Sequence, residues 1–352
     1  MDEELPTIHV HLLYRYYTLF VTMAESKTLS FDREFAAAAA AMAEAGASIP
    51  QLPAGDVEGR RKFFEQFFSS RSSMIPSTPN VTRKEHQIKA DDGSTLLLTE
   101  FRPSSAASTA SPAAFYIHGG GMYLGSVPGF APSIALKAEA LGVPIFAIGY
   151  RLAPEHPHPT PANDCYAGLT WLLANAAEVG VDKSRVMIYG ESAGGGLAAG
   201  VALMARDRKL DPPLAFQMLI YPMLDDRNMK PIPTIEPHAM WKCDDNITGW
   251  GALLGKAAGS DEEVEGHEYA APARAKSLKG LPPTYIDVGG LDIFVAEDCS
   301  YATRLVEAGV QVEFHLYPGL PHGFEMTGAK TSIVKGVMAN RQRVYDEFRR
   351  DV

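Results

Sequence analysis

Five consecutive residues, Gly190-Glu191-Ser192-Ala193-Gly194, spell G-x-S-x-G. They follow a strand-like run at 185–189 and precede a stretch rich in alanine, leucine and glycine. A serine on so tight a turn from strand to helix, flanked by small residues, projects its hydroxyl above the sheet edge. That is where a nucleophile belongs. A glycine-rich phosphate loop is the competing reading, but it needs Lys after its last glycine and none stands there. A second glycine run, His118-Gly119-Gly120-Gly121, directly follows the strand-like residues 114–117. Successive glycines let backbone N–H groups approach a substrate oxygen with no Cβ in the way. Alone, such a run is a flexible loop. Placed about 70 residues ahead of a nucleophile turn, it reads as an oxyanion hole. Donors of that kind each contribute about 3–4 kcal/mol to the transition state.

A serine hydroxyl needs a base, and ten histidines are available. His322 lies in Pro318-Gly319-Leu320-Pro321-His322-Gly323-Phe324, the loop after the run at 312–317. His315 sits inside that run and reads as structural; His156 and His158 lie in a proline-rich loop. His9, His11, His86, His238 and His267 have no motif around them, so His322 is the candidate base. The base in turn needs an acid to hold its tautomer and stabilise the imidazolium. In the order Ser, acid, His, the acid falls between the other two. Asp292, after Gly289-Gly290-Leu291, is the preferred candidate, with Asp287, Glu297 and Asp298 as alternatives.

These residues need a frame that brings them together. The first ~80 residues read as helical, with a run of alanines at 36–41 and Phe63, Phe64, Phe67 and Phe68 on one helical face. Residues 86–89 and 95–101, joined by Asp91-Asp92-Gly93, read as a hairpin, and 104–113 as a loop. Further strands are expected at 114–117, 144–149, 185–189, 215–221, 284–288 and 312–317. Helices near 133–141, 161–177, 194–206 and 296–308, and one after the last strand, separate them. Such alternation indicates a mainly parallel sheet with helices on both faces, and ligands at the carboxyl ends of the strands. The long gap from Tyr221 to Pro283 has no obvious strand and is expected to carry helices of its own.

Composition removes other classes. At 352 residues, 46% hydrophobic and 21% charged, the chain can bury a large core and is not disordered. A formal charge of −10 argues against a nucleic-acid or anionic-membrane binder. Cys165, Cys243 and Cys299 lie too far apart for a zinc site and are odd in number, which favours a reducing compartment. No membrane-spanning segment is visible. The acidic start, Met-Asp-Glu-Glu, is unlike a signal peptide, so a cytoplasmic protein is expected. Residues 12–23 read as an amphipathic helix, with interfacial membrane attachment as the lesser reading.

The pieces HGGG, YRLAPEHPHP, GESAGGG, GLDIFVAED and LPHGF occur together and in this order. In this the chain, from about Asp92 to its end, resembles the hormone-sensitive-lipase-like esterases, the HGGG group of the α/β hydrolases. The resemblance implies an α/β-hydrolase fold: a mostly parallel sheet of about eight strands flanked by helices, with a helical cap. It implies a cap from residues 1–80 and 223–280, and a core from 81–222 and 281–352. It implies a triad of Ser192, Asp292 and His322, with oxyanion donors from Gly120, Gly121 and Ala193 and Gly119 adjacent. No metal or cofactor is required. Two positions depart from the pattern. Glu191 stands where aspartate is common, and Ile293-Phe294-Val295-Ala296-Glu297 replaces the usual P-L-R-D-E. Arg151 reads as structural, seeking a buried carboxylate such as Asp164.

The expected function is hydrolysis of small to medium hydrophobic carboxylic esters, with lactones open to the same machinery. Short acyl chains of roughly two to eight carbons are expected, because rings such as Tyr14, Tyr16, Tyr17, Phe20 and Phe67 would wall the pocket. The alternatives are a non-catalytic small-molecule receptor on a hydrolase scaffold and a long-chain lipase. A homodimer is left open.

Overall fold

A strand buried on both faces has no polar side to show, and β3 (Ser111–Ile117) is buried along its whole length. Its side chains still alternate. Ala113, Phe115 and Ile117 join one apolar cluster and Ala114 and Tyr116 the other. The same period-two division runs through β4 (Ile145–Gly149), where Phe146 and Ile148 oppose Ile145 and Ala147. The sheet is therefore the middle of three layers. The computed structural model describes residues 29–44, 52–71, 75–107, 110–262 and 264–350. The tyrosine-rich stretch 12–23 lies outside them.

The remaining strands are β1 (Val81–Lys89), β2 (Thr95–Pro103), β5 (Val181–Glu191), β6 (Phe216–Ile220), β7 (Thr284–Gly289) and β8 (Val312–Tyr317). They form one sheet of eight in the order β1-β2-β4-β3-β5-β6-β7-β8. β2 is antiparallel to both β1 and β4, and every other pairing is parallel. Three strands begin earlier than expected, among them β5, which starts at Val181 rather than residue 185. β1 starts at Val81 rather than residue 86, because it is an edge strand whose first residues are polar and largely exposed, which erases the apolar signal. β3 starts at Ser111, inside the expected loop. Ser111 pairs with Val181, and the register then shifts across Pro112, which has no N–H to donate.

Helices α3 (Val127–Leu141) and α10 (Ser332–Arg350) cover one face; α4 (Thr160–Ala174), α5 (Ala193–Asp207) and α8 (Val295–Glu307) cover the other. α3 begins six residues before its expected start at 133. Ser126 caps it, its hydroxyl accepting the Gly129 N–H at 3.2 Å, and the following proline sits where a missing N–H costs nothing. The gap from Tyr221 to Pro283 carries α6 (Cys243–Leu254), the short α7 (His267–Ala270) and two 3₁₀ turns. None of its described residues forms a strand.

Among the described N-terminal residues, helices α1 (Arg33–Glu44) and α2 (Val57–Arg71) reach different places. α1 lies by the C-terminal part: Asp32 N–H donates to the Gly319 carbonyl at 3.0 Å, and Glu34 accepts from the Ser332 N–H at 2.7 Å. Phe35 beside them is fully buried. α2 meets α6 through buried Arg60, which donates to Asp245 at 2.7 Å and to the Leu52 and Pro53 carbonyls. No helix among the described residues is long and apolar enough to cross a membrane.

α5 is buried at every position from Ala193 to Ala205, and its glycines allow backbone to approach closely. A Cβ on Gly200 would lie 2.1 Å from the Tyr269 carbonyl oxygen, so the helix or α7 would have to move. Gly200→Ala is expected to lower stability by about 1–3 kcal/mol, the usual cost of overpacking. Urea unfolding checks this, and an unchanged midpoint would show that α7 yields freely.

Candidate active site

Ser192 stands between β5 and α5 at φ 57° and ψ −126°, a conformation that a side-chain-bearing residue rarely adopts. The turn leaves no space around it. A Cβ on Gly190 would lie 2.0 Å from the Gly194 carbonyl oxygen, and one on Gly194 2.1 Å from that of Ile117. The sequence G-x-S-x-G is thus dictated by contact with the turn itself and with the end of β3. The Ser192 N–H donates to Ile220 at 2.9 Å, and its carbonyl accepts from Met223 at 3.0 Å, which locks the turn to the end of β6.

Ser192 Oγ lies 2.9 Å from His322 Nε2, and His322 Nδ1 lies 2.6 Å from Asp292 Oδ2. Asp292 is fully buried, and its other oxygen accepts the Phe294 N–H at 3.0 Å. The turn carrying Asp292 and the loop carrying His322 are joined backbone to backbone: Gly290 donates to Tyr317 at 2.8 Å and Leu291 to Leu320 at 2.9 Å. The imidazole is enclosed by rings, with Tyr221 at 4.5 Å, Phe294 at 5.2 Å and Trp241 at 6.3 Å between centroids.

The other acids from the sequence have different surroundings. Asp287 is paired with buried Arg341 at 2.6 Å. Glu297 accepts from the Leu224 N–H at 2.7 Å and the Asn228 amide at 2.8 Å, tying α8 to the segment after β6. Asp298 is fully buried with no hydrogen-bond partner for either oxygen among the described residues. Burial first, then the neighbouring charges of Glu297 and Asp292, pushes its carboxyl well above the usual range. Among the remaining histidines, His315 bonds to Glu313 at 2.7 Å and His158 to the Glu265 carbonyl at 2.9 Å. His86 faces Glu100 at 3.0 Å. His9 and His11 lie outside the described residues.

The glycine loop faces the serine. A Cβ on Gly119 would lie 2.9 Å from the Glu191 carbonyl oxygen and 3.2 Å from Ser192 Cβ. Its carbonyls turn inward and are bonded: Tyr150 hydroxyl donates to His118 at 3.0 Å, and Tyr123 and Leu124 donate to Gly120 at 3.1 and 2.8 Å. His118 Nδ1–H donates to the Gly119 carbonyl at 2.8 Å, with the ring stacked on Tyr150. Burial lowers the His118 pKa to about 4, so this ring is a neutral strut. No backbone acceptor among the described residues takes the N–H of Gly120, Gly121 or Ala193. Gly120 and Gly121 hold φ of 117° and 59°, and a Cβ on Gly121 would strike Trp241 at 2.7 Å.

Second-layer residues brace the site. Glu191 accepts the Tyr116 hydroxyl at 3.0 Å and the Tyr189 hydroxyl at 3.3 Å, and pairs with Lys137 at 3.1 Å. Arg151 forks onto Asp164 at 2.9 and 2.7 Å, the partner expected for it. Val295, in place of the usual arginine, packs against both apolar clusters. Arg61 on α2 donates to the carbonyls of Tyr123 and Ala153, each at 2.9 Å, and so clamps the chain after the glycine loop. Phe64, from the same helix, packs on Phe130 at 5.9 Å, and Phe130 stacks on His118 at 5.6 Å. Tyr221, Trp241 and Arg61 were not singled out for the site from sequence. Tyr221 had a usable signal, its place at the carboxyl end of a strand; Trp241 had none beyond being aromatic.

A family model described as the α/β-hydrolase fold matches residues 114–326. The chain belongs to this family. The α/β hydrolase described here is 34% identical over 229 residues to Esterase LipI of Mycobacterium tuberculosis, covering 63% of this chain and 68% of that protein. It is 36% identical over 213 residues to Carboxylesterase NlhH of the same organism, covering 60% and 66%. The matched stretch thus spans about two thirds of the length of these relatives. Among solved structures, a bacterial heroin esterase superposes with a TM-score of 0.82 at 34% identity, covering 92% of this chain and 99% of that one.

Asp298 yields a stability test with a definite sign. Its folded pKa is raised, so the folded state binds its proton more tightly than the unfolded chain. That contribution is fully present below the ordinary carboxyl pKa near ~4 and is lost as pH rises towards the folded value. Asp298→Asn, which cannot ionise, is therefore expected to gain stability relative to the natural chain between pH 5 and pH 8. Thermal unfolding at both pH values reads the difference, and a constant difference would contradict a neutral, unpartnered acid.

Proposed function

We propose that this protein is a serine carboxylesterase in which Ser192 is the nucleophile, His322 the general base and acid, and Asp292 the carboxylate that orients it. The observation that carries the proposal is the unbroken contact from Asp292 Oδ2 through both imidazole nitrogens to Ser192 Oγ, at 2.6 and 2.9 Å, on a strained turn. The esterase names of the relatives support the same chemistry.

The geometry supports a two-step acyl transfer. Ser192 Oγ attacks the ester carbonyl carbon while its proton passes to His322 Nε2. The carbonyl oxygen becomes an oxyanion, held by the amides of Gly120, Gly121 and Ala193, with Gly119 adjacent. These amides are preorganised because the loop carbonyls are already bonded inward. The tetrahedral intermediate collapses, His322 gives its proton to the departing alcohol oxygen, and the acyl group stays on Ser192. Water then attacks the acyl carbon, giving a proton to Nε2. The second collapse returns a proton to Ser192 Oγ and frees the carboxylic acid. Throughout, the Nδ1 proton remains on His322, bonded to Asp292.

We read residues 1–80 and 223–280 as the cap and the rest as core, with small hydrophobic esters as substrates. Trp241 against Gly121 and Tyr123 at 6.2 Å from Trp241 place bulky rings beside the oxyanion loop, which supports a short acyl chain. The three cysteine thiols are free, which fits a reducing, cytoplasmic setting.

Asp292→Asn is expected to lower kcat by about 10⁴, since a neutral amide no longer selects the productive imidazole tautomer. Asp298→Asn should change kcat by less than about tenfold, because Asp298 makes no hydrogen bond to His322 or Ser192. Steady-state kinetics with p-nitrophenyl acetate measures both. The reverse ranking would remove Asp292 from the proposed triad.

A further inference from the structure

The imidazole rests against a ring whose own contacts lead to one buried guanidinium. Tyr221 closes the end of β6 at φ 35°, in the left-handed region that a bulky residue avoids. Such strain persists only where surrounding contacts over-determine it. Here the Tyr221 N–H donates to the Asp287 carbonyl at 2.7 Å, and its hydroxyl donates to Glu325 Oε2 at 3.2 Å. Its ring meets His322 edge-on at 4.5 Å and Phe324 at 5.9 Å. Glu325 stands three residues after His322, at the start of the short helix α9 (Glu325–Gly328), and its other oxygen pairs with Arg341 Nη1.

Arg341 gathers these parts. It is 2% exposed, on α10, and forks onto the Asp287 carboxylate at 2.6 and 2.9 Å, while Asp287 also accepts the Tyr285 hydroxyl at 2.8 Å. The guanidinium lies 5.9 Å from the Tyr221 ring centre and 5.5 Å from that of Phe324. One cation therefore ties β7, the loop behind His322 and the ring against which the imidazole rests. A charge-assisted fork holds geometry better than a neutral bond, and breaking a buried pair leaves an uncompensated charge.

We infer that Tyr221, Glu325 and Arg341 are positioning residues for His322: they fix its loop and the ring behind it, so that Nε2 stays aligned with Ser192 Oγ through both proton transfers. The inference deepens the proposed function and rests on His322 as the base. It concerns turnover and not substrate binding, since the three residues act through the imidazole.

The test uses the full-length protein and p-nitrophenyl acetate. Tyr221→Phe keeps the ring and removes the bond to Glu325. Glu325→Gln keeps an acceptor for the tyrosine and removes the charge facing Arg341. Each should lower kcat about tenfold with KM within twofold of the natural value. The double variant should cost little more than the worse single one, because both changes break one chain of contacts. Thermal unfolding selects preparations with comparable melting temperatures. Arg341→Lys is a harsher change, and the two milder variants decide the matter if it does not fold. Unchanged kcat in both single variants would overturn the inference, as would a rise in KM at constant kcat, which would make Tyr221 a wall of the substrate pocket. His322→Ala separates the two levels. If it abolishes turnover while Tyr221→Phe and Glu325→Gln are silent, only the positioning role fails; if it leaves kcat intact, the proposed base fails.

Discussion

Lifting a serine oxygen above the edge of a parallel sheet requires the chain to pass from strand to helix within one residue. Ser192 makes that passage at φ 57°, and only the absence of Cβ atoms at Gly190 and Gly194 permits it. A methyl at Gly194 would collide with the carbonyls of Ile117 and His118, at 2.1 and 2.5 Å. The elbow therefore packs directly on the strand end from which the oxyanion loop departs. The proposed nucleophile and oxyanion donors are neighbours because two pieces of backbone touch, with no side chain between them. The central helix α5 inherits the same constraint, and its burial anchors the turn against the core.

Charge at the carboxyl edge is managed by pairing. Asp287 has Arg341, Asp292 has His322, Asp164 has Arg151, and Glu297 has backbone and amide donors. Asp298 alone keeps two oxygens without partners among the described residues, and its raised pKa shows how such a group is accommodated. A buried carboxylate deprived of its partner is costly, so each pair also fixes the element that bears it. Beside the chemistry proposed for it, the Asp292–His322 contact holds the turn after β7 against the loop after β8. Arg341 does the same for β7 and α10 from the opposite face.

The chemistry-bearing residues were more legible in the sequence than the surfaces around them. Ser192, the glycine loop and His322 stand in turns whose composition is dictated by close backbone contact, so their motifs survive as spelling. Most strands were legible within a residue or two because strands buried on both faces leave unbroken apolar runs. β1 was legible only in part, since an exposed edge carries charges at the positions a pattern search would want apolar. The beginning of α3 was hidden by Pro128, which suits a first turn, and by Pro132, which lies inside the helix where proline is disfavoured. Asp292 was legible as the preferred acid but three alternatives stood beside it, because what separates Asp292 from Asp287 is the partner each meets: an imidazole in one case, Arg341 from a helix more than fifty residues away in the other. Trp241 and Arg61 were illegible for the same reason, and Tyr221 showed only its place at the carboxyl end of a strand. Their roles come from residues brought near by the fold.

Ser192 Oγ, His322 and the amides of Gly120, Gly121 and Ala193 are proposed to form one reaction centre. A crystal structure of the protein after reaction with a p-nitrophenyl phosphonate tests it most directly, since the adduct carries a charged tetrahedral phosphorus in place of the intermediate. The expected adduct has a single covalent bond from phosphorus to Ser192 Oγ. Its phosphoryl oxygen should lie within about 3 Å of those amides, the distance an oxyanion donor requires. A phosphoryl oxygen turned away from the glycine loop, or an adduct on another residue with Ser192 unmodified, would contradict the proposal.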